Sequence, residues 1–136
     1  MLYKVNKTHY LLAGNPHTSY TQLEEYSRDE DPAIRARVAE NPSTPLRTMF
    51  KLINDLDSDV RLGLAWNPNA SGLLLSELAE DMDADVRYAI AENSQAPQMV
   101  LEKLAKDENP YVVHRALKTL ANARPVYIES VHKIAA

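Results

Sequence analysis

The sequence predicts an all-α fold built from stacked helical hairpins, on three observations. A period of 26 residues aligns Ala13, Ala39, Ala65 and Ala91, and the same period aligns Asn15, Asn41, Asn67 and Asn93. A third column, Ile34, Val60, Val86 and Val112, keeps the same register. Each period carries two helical patterns of apolar residues, and no segment shows the strict alternation of a half-buried strand. A fixed period of this size marks units that bury their apolar stripes against neighbouring copies, and not one closed globule.

The whole chain, 1–136, reads as one domain: a partial unit at 8–28, full units at 29–54, 55–80 and 81–106, and a capping unit at 107–136. The pattern is clearest in the third. An acidic turn holding Asp55, Asp57 and Asp59 precedes a short helix from Val60 to Trp66; Asn67-Pro68 breaks it, and a second helix runs near Leu73 to Glu80. Asp at the turn accepts hydrogen bonds from the first amides of the next helix and meets the positive end of its dipole. Asn before Pro is expected to stop the first helix, because the residue preceding proline is pushed out of the α region and Asn tolerates a left-handed cap. Pro45 and Pro97 suit the first turn of the second helix, where no amide hydrogen is missed. Val60 and Leu64 share one face, as do Leu75 and Leu78, so each helix buries one stripe. The Ala column is expected on the side facing an adjacent unit, where a small side chain permits close approach. Helices of two to three turns are marginal alone and depend on these contacts. In the last unit the helix from Tyr111 to Asn122 lacks the Asn-Pro stop and Val113 stands in the Arg column, as suits a terminal cap.

Asp and Arg recur six apart in three units: Asp29 and Arg35, Asp55 and Arg61, Asp81 and Arg87. Such an Arg can reach the acidic turn of its own or a neighbouring unit and make charge-assisted, bidentate hydrogen bonds. An arginine comb for phosphate or carboxylate ligands is the functional alternative. The structural ladder is favoured because every Arg comes with an Asp.

Composition narrows the function classes. Nineteen acidic residues against 15 Lys plus Arg give a net charge of −4, which supplies no general attraction for a polyanion. The absence of cysteine removes disulfides, thiolate metal sites and cysteine nucleophiles. Residues 1–10 lack a signal-like apolar region, and no run is long and apolar enough to span a bilayer, so a soluble cytoplasmic protein is expected. The segment from Asp81 to Glu92 faintly imitates a calcium loop, but Val86 stands where the turn requires Gly and Arg87 would enter the cage. His9, His17, His114 and His132 show no metal-ligand spacing and read as solvated surface residues. No carboxylate pair can be singled out for catalysis, and three glycines form no phosphate loop. No cofactor and no enzyme activity are expected.

The series Asp-x-Asp-x-Asp-Val-Arg-x-x-x-Ala-x-Asn-Pro at residues 55–68, with its looser copies across 8–136, resembles the leucine-rich repeat variant family, a HEAT-like group. The resemblance implies a right-handed α-solenoid, an αα superhelix of about five such units, with the Val-Arg helix on the concave side and one helix of each pair sometimes close to 3₁₀ geometry; the unit here is slightly longer than usual for the family, which leaves room for a regular α-helix as the second. Some relatives carry a cysteine-bound iron–sulfur module, which this chain cannot build.

If the Val-Arg helix lines the groove, positions two after the Val lie about 200° around the helix from the buried stripe and face outward. Two columns follow: Tyr10, Ala36, Leu62, Tyr88 and His114, then Gly14, Glu40, Trp66, Glu92 and Lys118. Unlike the structural columns, these vary from unit to unit. Leu62, Trp66 and Tyr88 gather apolar and aromatic surface of the kind that anchors interfaces, beside Glu92, His114 and Lys118. The plain alternative is that Trp66 packs over a neighbouring helix. The expected function is a non-enzymatic scaffold that binds a protein segment through the groove, as a monomer or weak homodimer. A nucleic-acid-binding module is disfavoured by the acidic balance. A small-ligand enzyme gripping its substrate between Trp66 and Tyr88 is the remaining competitor.

Overall fold

The computed structural model describes the backbone of residues 6–135 and the side chains of residues 6–123. Among the described residues the chain is all-helical, without a strand. The helices are α1 (Lys7–Ala13), α2 (Tyr20–Tyr26), α3 (Pro32–Glu40), α4 (Leu46–Leu52), α5 (Ser58–Ala65), α6 (Gly72–Leu78), α7 (Ala84–Glu92), α8 (Gln98–Leu104) and α9 (Pro110–Ala135). The second helix of each pair is a short α-helix of 7 residues and not a 3₁₀ turn. His132 lies beyond the described side chains.

The helix starts follow from the acidic turns, one residue pair later than a single acid column suggests. Asp31, Asp57 and Asp83 are the N-caps of α3, α5 and α7, each accepting from the amide two residues on. Asn109 does the same for Tyr111 at the start of α9. Such a cap stabilises a short helix by about 1 kcal/mol relative to Ala. Ser19 and Ser71 cap α2 and α6. Pro45 and Pro97 sit at the N-cap positions of α4 and α8, one place before the expected first turn, and offer no side-chain bond. Their fixed φ still directs the chain into the helix.

Ile34 and Val38 on α3, Val60 and Leu64 on α5, and Val86 and Ile90 on α7 are fully buried. They meet Leu23, Met49, Leu74, Leu75, Leu78, Leu101 and Leu104 from the second helices in one continuous core. Each such side chain contributes about 1.5–3 kcal/mol relative to full exposure. The first helices pack directly on one another, α1 on α3, α3 on α5, α5 on α7 and α7 on α9. Second helices pack instead against the first helix of their own pair and of the next. Ala13, Ala39, Ala65 and Ala91 are completely buried along this line of first helices. The closest approach is at Gly63, where an added Cβ would lie 3.0 Å from the Ala36 carbonyl oxygen and 3.0 Å from the Ala39 Cβ.

Two side-chain ladders run through these contacts in opposite directions. In the first, Arg35 Nε donates to Asp55 Oδ2 at 2.8 Å and Nη2 to Oδ1 at 3.0 Å, while Nη1 donates to the Asp29 carbonyl at 2.8 Å. Arg61 repeats this with Asp81 and the Asp55 carbonyl, and Arg87 with Asp107 and the Asp81 carbonyl. The carboxylate partner is therefore the next unit's Asp, 20 residues on, and the same-unit Asp supplies only its backbone oxygen. Asp29 is left for His9, whose Nδ1 lies 3.0 Å from Asp29 Oδ2 and whose ring stands 4.9 Å from that of Tyr26. His9 is 26 residues before Arg35 and forms the terminal rung, so it is not a simple solvated histidine. With Val113 in the next place, Asp107 closes the series.

The second ladder adds to the role expected of Asn: Asn41 ends α3 ahead of Pro42, in extended backbone and not in a left-handed cap. Among the described residues none has positive φ, and Asn41 and Asn93 are extended, at φ −70° and −76°. Their second task is tertiary. Asn41 Nδ2 donates to the carbonyls of Ala13 and Asn15 at 2.8 and 2.9 Å, and Asn67 Nδ2 to those of Ala39 and Asn41 at 2.7 and 2.9 Å. Asn93 Nδ2 reaches the Ala65 carbonyl at 3.2 Å. Thr119 stands 26 residues after Asn93, and its hydroxyl donates to the Ala91 carbonyl at 2.6 Å. A helix whose last carbonyls lack intrahelical partners is thus completed by the following unit.

Candidate functional site

The outward face of α3, α5, α7 and α9 carries the varied columns. Tyr10 at one end is engaged: the Arg37 guanidinium carbon lies 5.0 Å over its ring centroid, and Arg37 Nη1 is 3.6 Å from Glu40 Oε2. A Cβ at Gly14 would meet that guanidinium, the far end of a flexible side chain, so a larger residue there would have to displace Arg37 from Tyr10. At the other end Arg115 Nη2 is 3.4 Å from Glu92 Oε1. Arg37 and Arg115 occupy one column, with Gly63 and Ala89 between them, so the two arginines flank a centre without long side chains in that column.

The centre holds Leu62, Trp66 and Tyr88. Trp66, the C-cap of α5, is 51% exposed, and Tyr88 on α7 is 37% exposed. Leu62 is half-buried and packs against the core, so its contribution to the face is partial. His114 and Lys118 on α9 are exposed, whereas Glu92 is half-buried through its pairing with Arg115. Of the six sequence-derived contact residues, Trp66, Tyr88, His114 and Lys118 present open surface. Trp66 belongs to neither ladder, and the core closes without it. Arg35, Arg61 and Arg87, in contrast, are committed to carboxylates and backbone carbonyls, which leaves no guanidinium of that column for a ligand.

Electrostatics concentrate in the ladder and not on this face. Hydrogen bonds from their arginines' side to Asp55, Asp81 and Asp107 hold Arg35, Arg61 and Arg87 above the usual guanidinium range, against an opposing effect of burial. Burial alone would raise the Asp55 carboxyl. The Arg35 hydrogen bond, the Asp57 amide and the nearby Arg35 and Arg61 charges outweigh it and leave Asp55 below the ordinary carboxylate value. Asp107 is lowered in the same way by Arg87 and the Asn109 amide. In the segment that imitates a calcium loop, Asp81 is taken by Arg61 and Asp83 by the Asp85 amide. Among the described residues no His, Asp and Glu side chains group so as to hold a metal ion, and no helix is long and apolar enough to cross a membrane.

Comparison with protein-family models, curated proteins and solved structures returns no match.

Proposed function

We propose that this chain is a non-enzymatic interaction scaffold of the leucine-rich repeat variant type, a right-handed α-solenoid of about five units that binds a protein segment across its first helices. One observation carries the reading: Trp66, in a column that varies from unit to unit, is 51% exposed close to the Tyr88 column, while the recurring Val, Ala, Arg and Asn columns are buried or paired. Large aromatic side chains that lose their water on binding are the commonest anchors of interfaces. The direct packing of first helix on first helix, without equivalent contact between consecutive second helices, favours the first-helix layer as the inner, concave one. Closer spacing on one layer bends a stack toward it. Arg37 and Arg115 then frame the groove, and Lys118 adds positive charge at its far end, beside the exposed His114.

The test compares partner capture by the wild type with capture by a Trp66→Ala, Tyr88→Ala variant. The expected result is a loss of the captured species, with the helical circular dichroism and the thermal midpoint nearly unchanged. Equal catches would remove this face from the function, and a collapsed fold would show that Trp66 supports the core. Binding of single-stranded oligonucleotides at low salt would instead favour a nucleic-acid module, and quenching of Trp66 fluorescence by small aromatic compounds a small-ligand site.

A further inference from the structure

We infer a second protein-binding surface, on the acidic turns before α5 and α7, shaped for a Lys/Arg-rich amphipathic segment with apolar anchors. Leu56 is 100% exposed and Met82 is 92% exposed, each at the tip of its turn between two aspartates. The same place one unit earlier and one unit later holds Glu30 and Glu108, which is the ordinary chemistry of a turn tip. Met99 on α8, 81% exposed, lines the same open groove as Met82. Leu73 stands in the corresponding place on α6 and is also exposed. The two central units therefore each pair an apolar turn tip with an apolar residue on the second helix, while the unit before them has Glu30 and Arg47 in these places.

Single exposed apolar residues are ordinary on any protein. Recurrence in two columns, confined to two adjacent units, is not accounted for by the fold: the core and both ladders are complete without these side chains. Flexible Met and Leu side chains suit a surface that adapts to a partner helix.

Charge selects the partner. Neither turn, 54–59 or 80–85, contains Lys or Arg. Asp59 and Asp85 are exposed and make no ion pair among the described residues, and Glu108 at the edge of the groove is almost fully exposed. Of the two lysines that line the groove, Lys103 is taken by Glu80, and Lys106 stands among the five acids Glu80, Asp81, Glu102, Asp107 and Glu108. An acidic peptide or an anionic lipid surface is repelled here, whereas a basic segment is steered in. Packed helices lie about 8–10 Å apart. That interval is close to the ~10.5 Å rise of seven residues in a helix. Apolar anchors seven apart on a basic helix can thus meet Leu56 and Met82 together, with Lys or Arg facing the aspartates between. These residues are distinct from the Trp66 face, so the two proposals stand or fall separately.

The probe is a fluorescently labelled synthetic peptide of Lys and Leu at helical spacing, titrated by anisotropy with the full chain. Its controls are a Glu-for-Lys counterpart and a leucine-free poly-lysine of equal length. We expect saturable binding of the Lys/Leu peptide alone, weakened by salt. A Leu56→Ser, Met82→Ser, Met99→Ser variant should weaken it about tenfold or more. Thermal midpoint should be retained in that variant, and Trp66→Ala should leave binding unchanged. Absence of binding, equal binding of either control, an unaffected triple variant, or loss through Trp66→Ala overturns the proposal. Self-association of the wild type that the triple variant abolishes would assign the surface to a second copy and overturn it equally.

Discussion

Arg61 makes three interactions at once: two hydrogen bonds to the Asp81 carboxylate and one to the Asp55 carbonyl. Its side chain is 10% exposed and that of Asp81 6%, so removing the guanidinium strands a carboxylate with little water around it. Breaking a pair so placed costs about 3–5 kcal/mol. His9 holds the equivalent place at the N-terminal end with a side chain 41% exposed, where a pair contributes only about 0–1 kcal/mol. Arg61→Ala should therefore lower the urea midpoint far more than His9→Ala, with unchanged m-values; comparable losses would mean that the rungs do not differ by burial. Residue-level patterning showed that each Arg had an acid to meet. It could not show which one, because Asp six residues before and Asp twenty residues after are both acidic-turn residues, and only the stacking direction distinguishes them. The Asn column stops the helix as its place before Pro predicts, but its tertiary hydrogen bonds are not legible for a related reason. Its position before Pro has an adequate local explanation, and a hydrogen bond spanning 28 residues leaves no mark on local sequence beyond the shared period.

At the scale of the element, the contact between α3 and α5 depends on a missing side chain. Gly63 sits over the Ala36 carbonyl and the Ala39 methyl at distances that a Cβ can just reach. A larger residue must push the two helices apart, and overpacking of this kind costs about 1–3 kcal/mol. Gly63→Leu is expected to lose that amount in chemical denaturation, despite leucine's better helix propensity; a gain in stability would show that the contact yields easily. The helices themselves were readable in advance, since Asp57 marks the start of α5 and Val60 with Leu64 its buried face. The starts of α4 and α8 fall one place from the expected position, because a Pro that can serve at the first turn serves equally well one position before it. On the candidate face, the outward direction of Trp66, Tyr88, His114 and Lys118 agrees with the helical phase counted from the Val column. The half-burial of Leu62 and the pairing of Glu92 with Arg115 do not follow from phase, because each depends on how far the adjacent helix leans over.

For the molecule as a whole, the ladder links stability to acid. Asp55 and Asp107 have folded-state values below the ordinary carboxylate value of about 3.9. As pH falls, the unfolded chain takes up protons at these groups before the folded one does. Their contribution is thus complete above about pH 5 and is lost as pH drops through the unfolded and then the folded values. The thermal midpoint should be nearly level from pH 7 to about 5 and fall steeply below about 4. Asp55→Asn should lower the plateau and flatten the acid limb; an unchanged limb would place the acid sensitivity elsewhere.

The opposed directions of the two ladders bear on how such a chain can change its length. Arginine reaches forward by 20 residues and asparagine backward by 28, so at the two junctions between the full units each ladder contributes one group and reaches no further than the adjacent unit. Excision of residues 55–80 would bring Arg35 into register with Asp81, and Asn93 with the carbonyls of Ala39 and Asn41. The junction formed would contain the same ladder groups as the two it replaced, with Ala89 in the place of Gly63 against Ala36 and Ala39. Genetic gain or loss of whole units is therefore a small step for this sequence, whereas an insertion of any other length would misalign both sets of rungs at once.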